Sequence, residues 1–121
     1  MPPDDPDAAY LWDMWDAARM VGEFTRGKTF EAYRADAQLI AAVERKVEII
    51  GEAARNVSRQ FQQAHPEIPW RAIVAQRHVL AHEYGEIRSD RMWRVVTVHI
   101  PRLMGIIEPL LPPPPDSADE N

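Results

Sequence analysis

The run Arg77-His78-Val79-Leu80-Ala81-His82-Glu83-Tyr84 is the densest set of chemically capable side chains in the sequence. Three kinds of chemistry compete for it. The first is metal binding. His78 and His82 stand at i and i+4, about 40° apart on a helix, so both can face one ion. This is half a zinc site. The zincin pattern wants a glutamate directly after the first histidine, and Val79 stands there. A third ligand would have to come from Glu83, His99 or His65, and no spacing favours any of them. The second reading is purely structural. Histidines near a helix C-terminus interact well with its dipole, and Tyr84 could simply cap the core. The third is phosphoryl chemistry on RNA. Histidine serves as base and acid near neutral pH. Arginine stays charged and grips phosphate with two parallel N–H bonds. RNA carries its own nucleophile, the 2′-hydroxyl. A base for its proton, an acid for the leaving oxygen and a cation for the phosphate suffice for cleavage.

Geometry is the difficulty for that third reading. Arg77 and His82 are five apart, about 140° around an ideal helix, whereas Arg77 and Tyr84 fall on nearly the same face. Either the helix unwinds towards Gly85, or two subunits share a cleft. A two-fold dimer would supply acid and base from one sequence position.

The charge balance bears on the same question. The 121 residues carry 14 basic and 19 acidic side chains, a net of −5. That argues against a protein that holds nucleic acid by bulk charge. Six of the acids (Asp4, Asp5, Asp7, Asp116, Asp119 and Glu120) sit at the two ends, which leaves 14 basic against 13 acidic and a body of +1. Between Arg71 and Arg102, six arginines face three acids. A local arginine cluster can hold phosphate on an acidic protein. Composition alone favours the simpler reading, a solvated helix face. With no cysteine there is no disulfide, thiolate metal site or cysteine nucleophile. No apolar run reaches the ~18 residues of a membrane helix, and the start is acidic rather than basic like a signal peptide. The expectation is a cytoplasmic protein without membrane contact.

The elements that must carry these residues read as helices throughout. Residues 8–25 place Leu11, Met14, Trp15, Ala18 and Val21 at spacings of three and four, and Gly27 is a natural stop. A short helix follows Thr29, anchored by Phe30 and Tyr33. Residues 36–64 are predicted as one long helix. Its stripe is Leu39, Val43, Val47, Ile50, Ala54, Val57 and Phe61. Gly51 inside it predicts close approach of a neighbouring helix. His65-Pro66-Glu67-Ile68-Pro69-Trp70 is a break, because two prolines three apart prevent a continuous helix. A helix is expected from Trp70 to Tyr84, ended by Gly85. Ser89 or Asp90 is expected to cap the next, which runs to Leu111 with a kink at Pro101. Its stripe is Met92, Val96, Ile100, Leu103, Ile107 and Leu110. The fold class is an all-α antiparallel bundle of four to five helices over residues 8–111. Residues 1–7 and 112–121, rich in proline and acid, read as tails that cannot bury a core.

Arg77-x4-His82-x-Tyr84 resembles the signature of HepT-type toxins in the HEPN superfamily. His78 fills a slot where asparagine or aspartate is commoner. The similarity runs over residues 8–111. It includes Ala42-Val43-Glu44-Arg45-Lys46, Ile49-Ile50-Gly51-Glu52-Ala53-Ala54, the His65–Trp70 turn, Met92-Trp93 and Ile100-Pro101-Arg102-Leu103. Gly85 departs from it, standing where many relatives carry an aromatic. Glu83 and Glu86 add negative charge beside any RNA path.

The resemblance implies a homodimeric, metal-independent endoribonuclease needing no cofactor, the toxin of a type VII-like toxin–antitoxin system. His82 corresponds to the catalytic histidine, Arg77 to the phosphate-binding arginine, and His78 to their support. It implies a minimal nucleotidyltransferase as antitoxin, silencing the toxin by AMPylation of Tyr84. Added phosphate there would set negative charge beside Arg77. Arg88, Arg91, Arg94 and Trp93 are candidates to line the RNA cleft by proximity in sequence. The alternative is a non-catalytic HEPN module that binds a nucleotide or a nucleotidyltransferase, with Arg77 as a clamp without turnover.

Overall fold

The computed structural model describes residues 5–114, and among these there is helix and no strand. The expectations for residues 1–4 and 115–121 lie outside the described residues. Helix α1 spans Pro6–Thr25. It begins earlier than expected because Asp5 caps it, accepting from the Asp7 N–H at 2.9 Å, with Pro6 pre-set for the first turn. Residues 5–7 are therefore part of the bundle rather than tail. Gly27, with φ +72°, turns the chain out of α1. Thr29 caps α2, Phe30–Arg34, through the Ala32 N–H. Asp36 caps α3, Ala37–Asn56, through that of Leu39. On α3 the predicted stripe Leu39, Val43, Val47, Ile50 and Ala54 is buried.

The single helix expected over 36–64 is two. Val57 is extended, and Ser58 opens α4, Arg59–Ala64, by accepting from the Phe61 N–H. The cause is remote in sequence. The Asp7 carboxylate on α1 takes both the Ser58 N–H at 2.8 Å and its hydroxyl at 2.6 Å. After the proline turn comes α5, Trp70–His82, which stops two residues before the expected end. Glu83 and Tyr84 are extended, and Tyr84 precedes α6, Gly85–Arg94. Gly85, with φ +63°, thus starts a helix rather than ending one. Ser89 and Asp90 lie inside α6 and cap nothing.

A π turn over Val95–His99 joins α6 to α7, Ile100–Ile107, and a 3₁₀ turn, Glu108–Leu110, closes the fold. The Ile100 N–H bonds back to the Val95 carbonyl, five residues away. Pro101 is the reason. It has no N–H, and its ring would collide with the carbonyl four residues back in a regular helix. The expected kink therefore takes the form of a widened turn.

The core lies where α1 packs on α3 and α7, with Leu11, Met14, Val21, Val43, Met92 and Ile107 at its centre. The Trp12 indole donates to the Pro112 carbonyl at 2.8 Å and fastens the end of the bundle to α1. Helix α5 is different. It packs mainly on α3 and buries only Trp70, leaving Ile73, Val74, Val79 and Leu80 half-buried. Among the described residues no helix is long and apolar enough to cross a membrane.

Candidate functional site

Gly51 and Glu52 on α3 form a seat for Arg77. A Cβ at Gly51 would stand 3.3 Å from the Ile73 carbonyl oxygen and 3.5 Å from Arg77 Cγ. The missing side chain lets α5 close on α3 and lets the Arg77 stem run across it. The head ends 2.9 Å from Glu52 Oε2, through one Nη only. A guanidinium has five donors, so the rest of this one remains available to a phosphate. The Arg55 hydrogen bond first, then the charges of Arg55 and Arg77, hold the Glu52 carboxyl below the usual carboxylate range.

His78 and His82 lie on another face of α5. Their rings are 5.2 Å apart, tilted by 31°, and both are exposed. Among the described residues neither ring has a carboxylate or hydrogen-bond partner, so no acid fixes either tautomer. The structure brings His78 and His82 together. Because α5 is helical through His82, the five-residue step sets Arg77 and His82 about 140° apart around it within one chain. No third ligand reaches the histidines among the described residues. His65 sits 3.0 Å from Glu67, Glu83 is paired with Arg91, and His99 is on the π turn. Among the described residues no three His, Asp or Glu side chains converge as a metal site would need.

Because α5 ends at His82, Tyr84 does not share a helix face with Arg77, contrary to the spacing argument. It is 70% exposed, and its hydroxyl donates to the Ala81 carbonyl at 3.1 Å. The Arg88 guanidinium lies 5.8 Å from its ring centroid, within cation–π range.

The other predicted cleft residues divide. Arg88 is a brace: it pairs with Glu44 at 3.0 Å and donates to the Leu80 and Glu83 carbonyls that end α5. Trp93 packs half-buried against Tyr33 and Phe30, with centroids at 5.2 and 6.4 Å, and joins α6 to α2. Arg91 is tethered to Glu83 at 2.6 Å. Arg94 is exposed and, among the described residues, unpaired. Arg34 takes up Glu86. The extra acids near Tyr84 are thus matched by arginines.

Sequence reasoning missed the roles of Glu52 and Glu44. Each meets its arginine across more than twenty residues of chain, beyond any helical spacing. Beside Arg77 an open groove of about 340 Å³ runs past Tyr10, Asp13, Glu48 and Asn56. Burial first, then the charge of Asp16, raises the Asp13 carboxyl.

With this geometry in view, the relatives are informative. The sequence profile of the family described as Ribonuclease HepT-like matches residues 14–110. A Thermococcus cleftensis protein named "Probable ribonuclease HepT" is 41% identical over 101 residues, covering 84% of this chain and 92% of its own. A Methanocaldococcus jannaschii protein whose name describes a candidate RNase is 32% identical, covering 83% of this chain and 92% of its own. A similarly named protein of Caldanaerobacter subterraneus is 31% identical, covering 84% and 91%. No solved structure matches the chain. The matched stretch contains the Gly51–Glu52 seat, Arg77, the histidine pair and Tyr84, and the chain belongs to the HepT-like ribonuclease family.

Proposed function

We propose that this chain is an endoribonuclease that cuts RNA without a metal ion. The observation that carries the reading is the pairing, on one helix, of two exposed imidazoles that no carboxylate engages among the described residues with an arginine seated and still open to phosphate. His82 acts as base on the 2′-hydroxyl, whose oxygen attacks the adjacent phosphorus. The bond to the 5′-oxygen breaks, and a second imidazole returns a proton to that oxygen. The products are a 2′,3′-cyclic phosphate and a free 5′-hydroxyl, with atoms and protons balanced. Arg77 holds the phosphate as charge builds on it.

Within one chain Arg77 and His82 point apart, so the site is completed in a homodimer. What supports this is that α5 buries only Trp70 and leaves Arg71, Ala75, Arg77, His78 and His82 exposed, open to a second copy. Tyr84, whose ring is largely exposed, is the point of control. A nucleotidyltransferase antitoxin transfers AMP from ATP to its phenolic oxygen, releasing pyrophosphate. The added negative charge and bulk close the cleft to RNA. The setting is a cytoplasmic type VII-like toxin–antitoxin system.

The test is cleavage of total RNA by the unmodified protein in excess EDTA beside His82→Ala. Cutting by the wild type alone is the expected result. Failure of both folded proteins to cut would move the reading to a non-catalytic module that binds a nucleotide or a nucleotidyltransferase.

A further inference from the structure

Helix α5 carries more than the histidine pair on its exposed side. Arg71, Ala75, His78 and His82 fall within about 60° of one another around the helix. All four are exposed. The stripe is about 16 Å long at 1.5 Å per residue, the span of a few nucleotides. His82 stands at one end and Arg71 at the other. There the surface opens into a broad basin of about 880 Å³ between α4 and α5, lined by Arg59, Gln63, Pro66, Trp70, Arg71 and Ala75.

Charge separates this basin from the groove beside Arg77 and from the hollow between α2 and α6. The groove beside Arg77 holds the carboxylates of Asp13, Glu48 and Glu52. In the hollow between α2 and α6, Arg34 and Arg88 are spent on Glu86 and Glu44. The α4–α5 basin has two guanidinium groups and no carboxylate in its lining. Neither Arg59 nor Arg71 has an ion-pair partner among the described residues. The walls are also firmly built. Asp7 pins Ser58 at the start of α4, the Gln62 amide donates to the Val57 carbonyl at 2.9 Å, and the Trp70 indole donates to that of His65 at 3.0 Å. The Phe61 ring meets that of Trp70 edge-on at 6.1 Å.

We infer that the Arg59–Arg71 basin is a second RNA subsite, holding backbone phosphates a few nucleotides from the bond cut at His82. This rests on the ribonuclease reading above. Two guanidiniums without an ion-pair partner among the described residues suit phosphate oxygens. Such interactions position a strand without reading its bases, so the subsite adds affinity and register rather than sequence preference.

The experiment uses the full-length His82→Ala protein, so that bound RNA stays whole. Fluorescent single-stranded RNAs of about 4 and about 12 nucleotides are titrated by anisotropy at several salt concentrations. The same is done with Arg59→Gln and Arg71→Gln added together, and with Arg26→Gln and Lys28→Gln, which remove equal charge at the far end of α1. Circular dichroism melts confirm that each variant is folded. The expected result for the basin variant is an affinity for the longer RNA weaker by about tenfold. The slope of log affinity against log salt should fall by about 1.4, or ~0.7 for each phosphate that is no longer neutralised. The advantage of the longer RNA over the shorter should shrink, with little change in the distal control. Equal affinity and slope in basin variant and parent, or an equal loss in the control, overturns the subsite. Wild-type cleavage distinguishes the two readings. If the wild type cuts RNA while the basin variant binds like its parent, only the subsite falls. If the wild type neither binds nor cuts, both fall.

Discussion

At the scale of single residues, the side chains that matter are defined by what they lack as much as by what they touch. Among the described residues the exposed His82 ring has no carboxylate partner, and in the proposed reaction it is the base. Replacement by alanine should lower cleavage at least ~100-fold, the lower end of what acid–base catalysis supplies. A gel of single-turnover cleavage checks this. Glu52 meets Arg77, and on the proposed reading it acts by positioning that guanidinium. Glu52→Ala should reduce kcat/KM about tenfold, and Glu52→Gln should recover most of it, because the amide oxygen still accepts from Arg77. Wild-type cleavage by Glu52→Ala would remove the seat from the mechanism. Tyr33 offers a stability test away from the chemistry. Its side chain is fully buried and its hydroxyl finds no partner among the described residues. Burial first, then the Glu44 charge, pushes it up to about 12, against the opposing charge of Arg88. The folded state thus prefers the neutral phenol. Its stabilising contribution is complete below the unfolded value near ~10 and is lost as pH rises towards ~12, on the order of 2–3 kcal/mol. Tyr33→Phe should abolish that alkaline loss and leave neutral-pH stability level or slightly higher. Thermal melts from neutral pH to about 11 would show it.

At the scale of elements, local signals are legible in the sequence and remote ones are not. The stripes of α1 and α3, the short helix after Thr29, the proline break and the Gly51 approach all follow from spacing and residue type. The split of α3 from α4 does not, because Ser58 is held by Asp7 from 51 positions away. The end of α5 departs from expectation for a related reason. Arg88 collects its last carbonyls and pairs with Glu44, which lets the chain straighten before Gly85. The same brace shows that residues near His82 in sequence have structural partners of their own: Arg88 holds the end of α5, and Trp93 packs on Tyr33 and Phe30. Ser58→Ala removes both a cap and an anchor for α1, so a loss of about 1–2 kcal/mol is expected in urea unfolding. Gly51→Leu would wedge α5 off α3. It should cost about 1–3 kcal/mol and reduce cleavage further than the stability loss explains, because the Arg77 stem is displaced with it.

At the scale of the whole molecule, the all-α fold is the part most directly readable from the sequence, since helical periodicity dominates it from end to end. The candidate residues can be named from the sequence, whereas their arrangement cannot. Arg77 and His82 are neighbours in sequence whose side chains diverge in the folded chain. The dimer reading makes a simple demand: sedimentation at micromolar concentration should give twice the mass of one chain. A stable monomer that still cuts RNA would require another source for the second imidazole.

The one-sided packing of α5 has a further consequence, for the kinetics of backbone opening. Opening free energies within a protein track how much apolar surface a segment buries. α1 and α3 are clasped on several sides, whereas α5 rests on α3 and releases little when it lifts. Its amides should therefore exchange with deuterium well before those of α1 and α3 in a dilute sample. Raising the concentration into the dimer range should slow them selectively. The helix bearing Arg77 and the histidine pair would then be the last part of the molecule to become rigid, and would do so only on meeting its own copy.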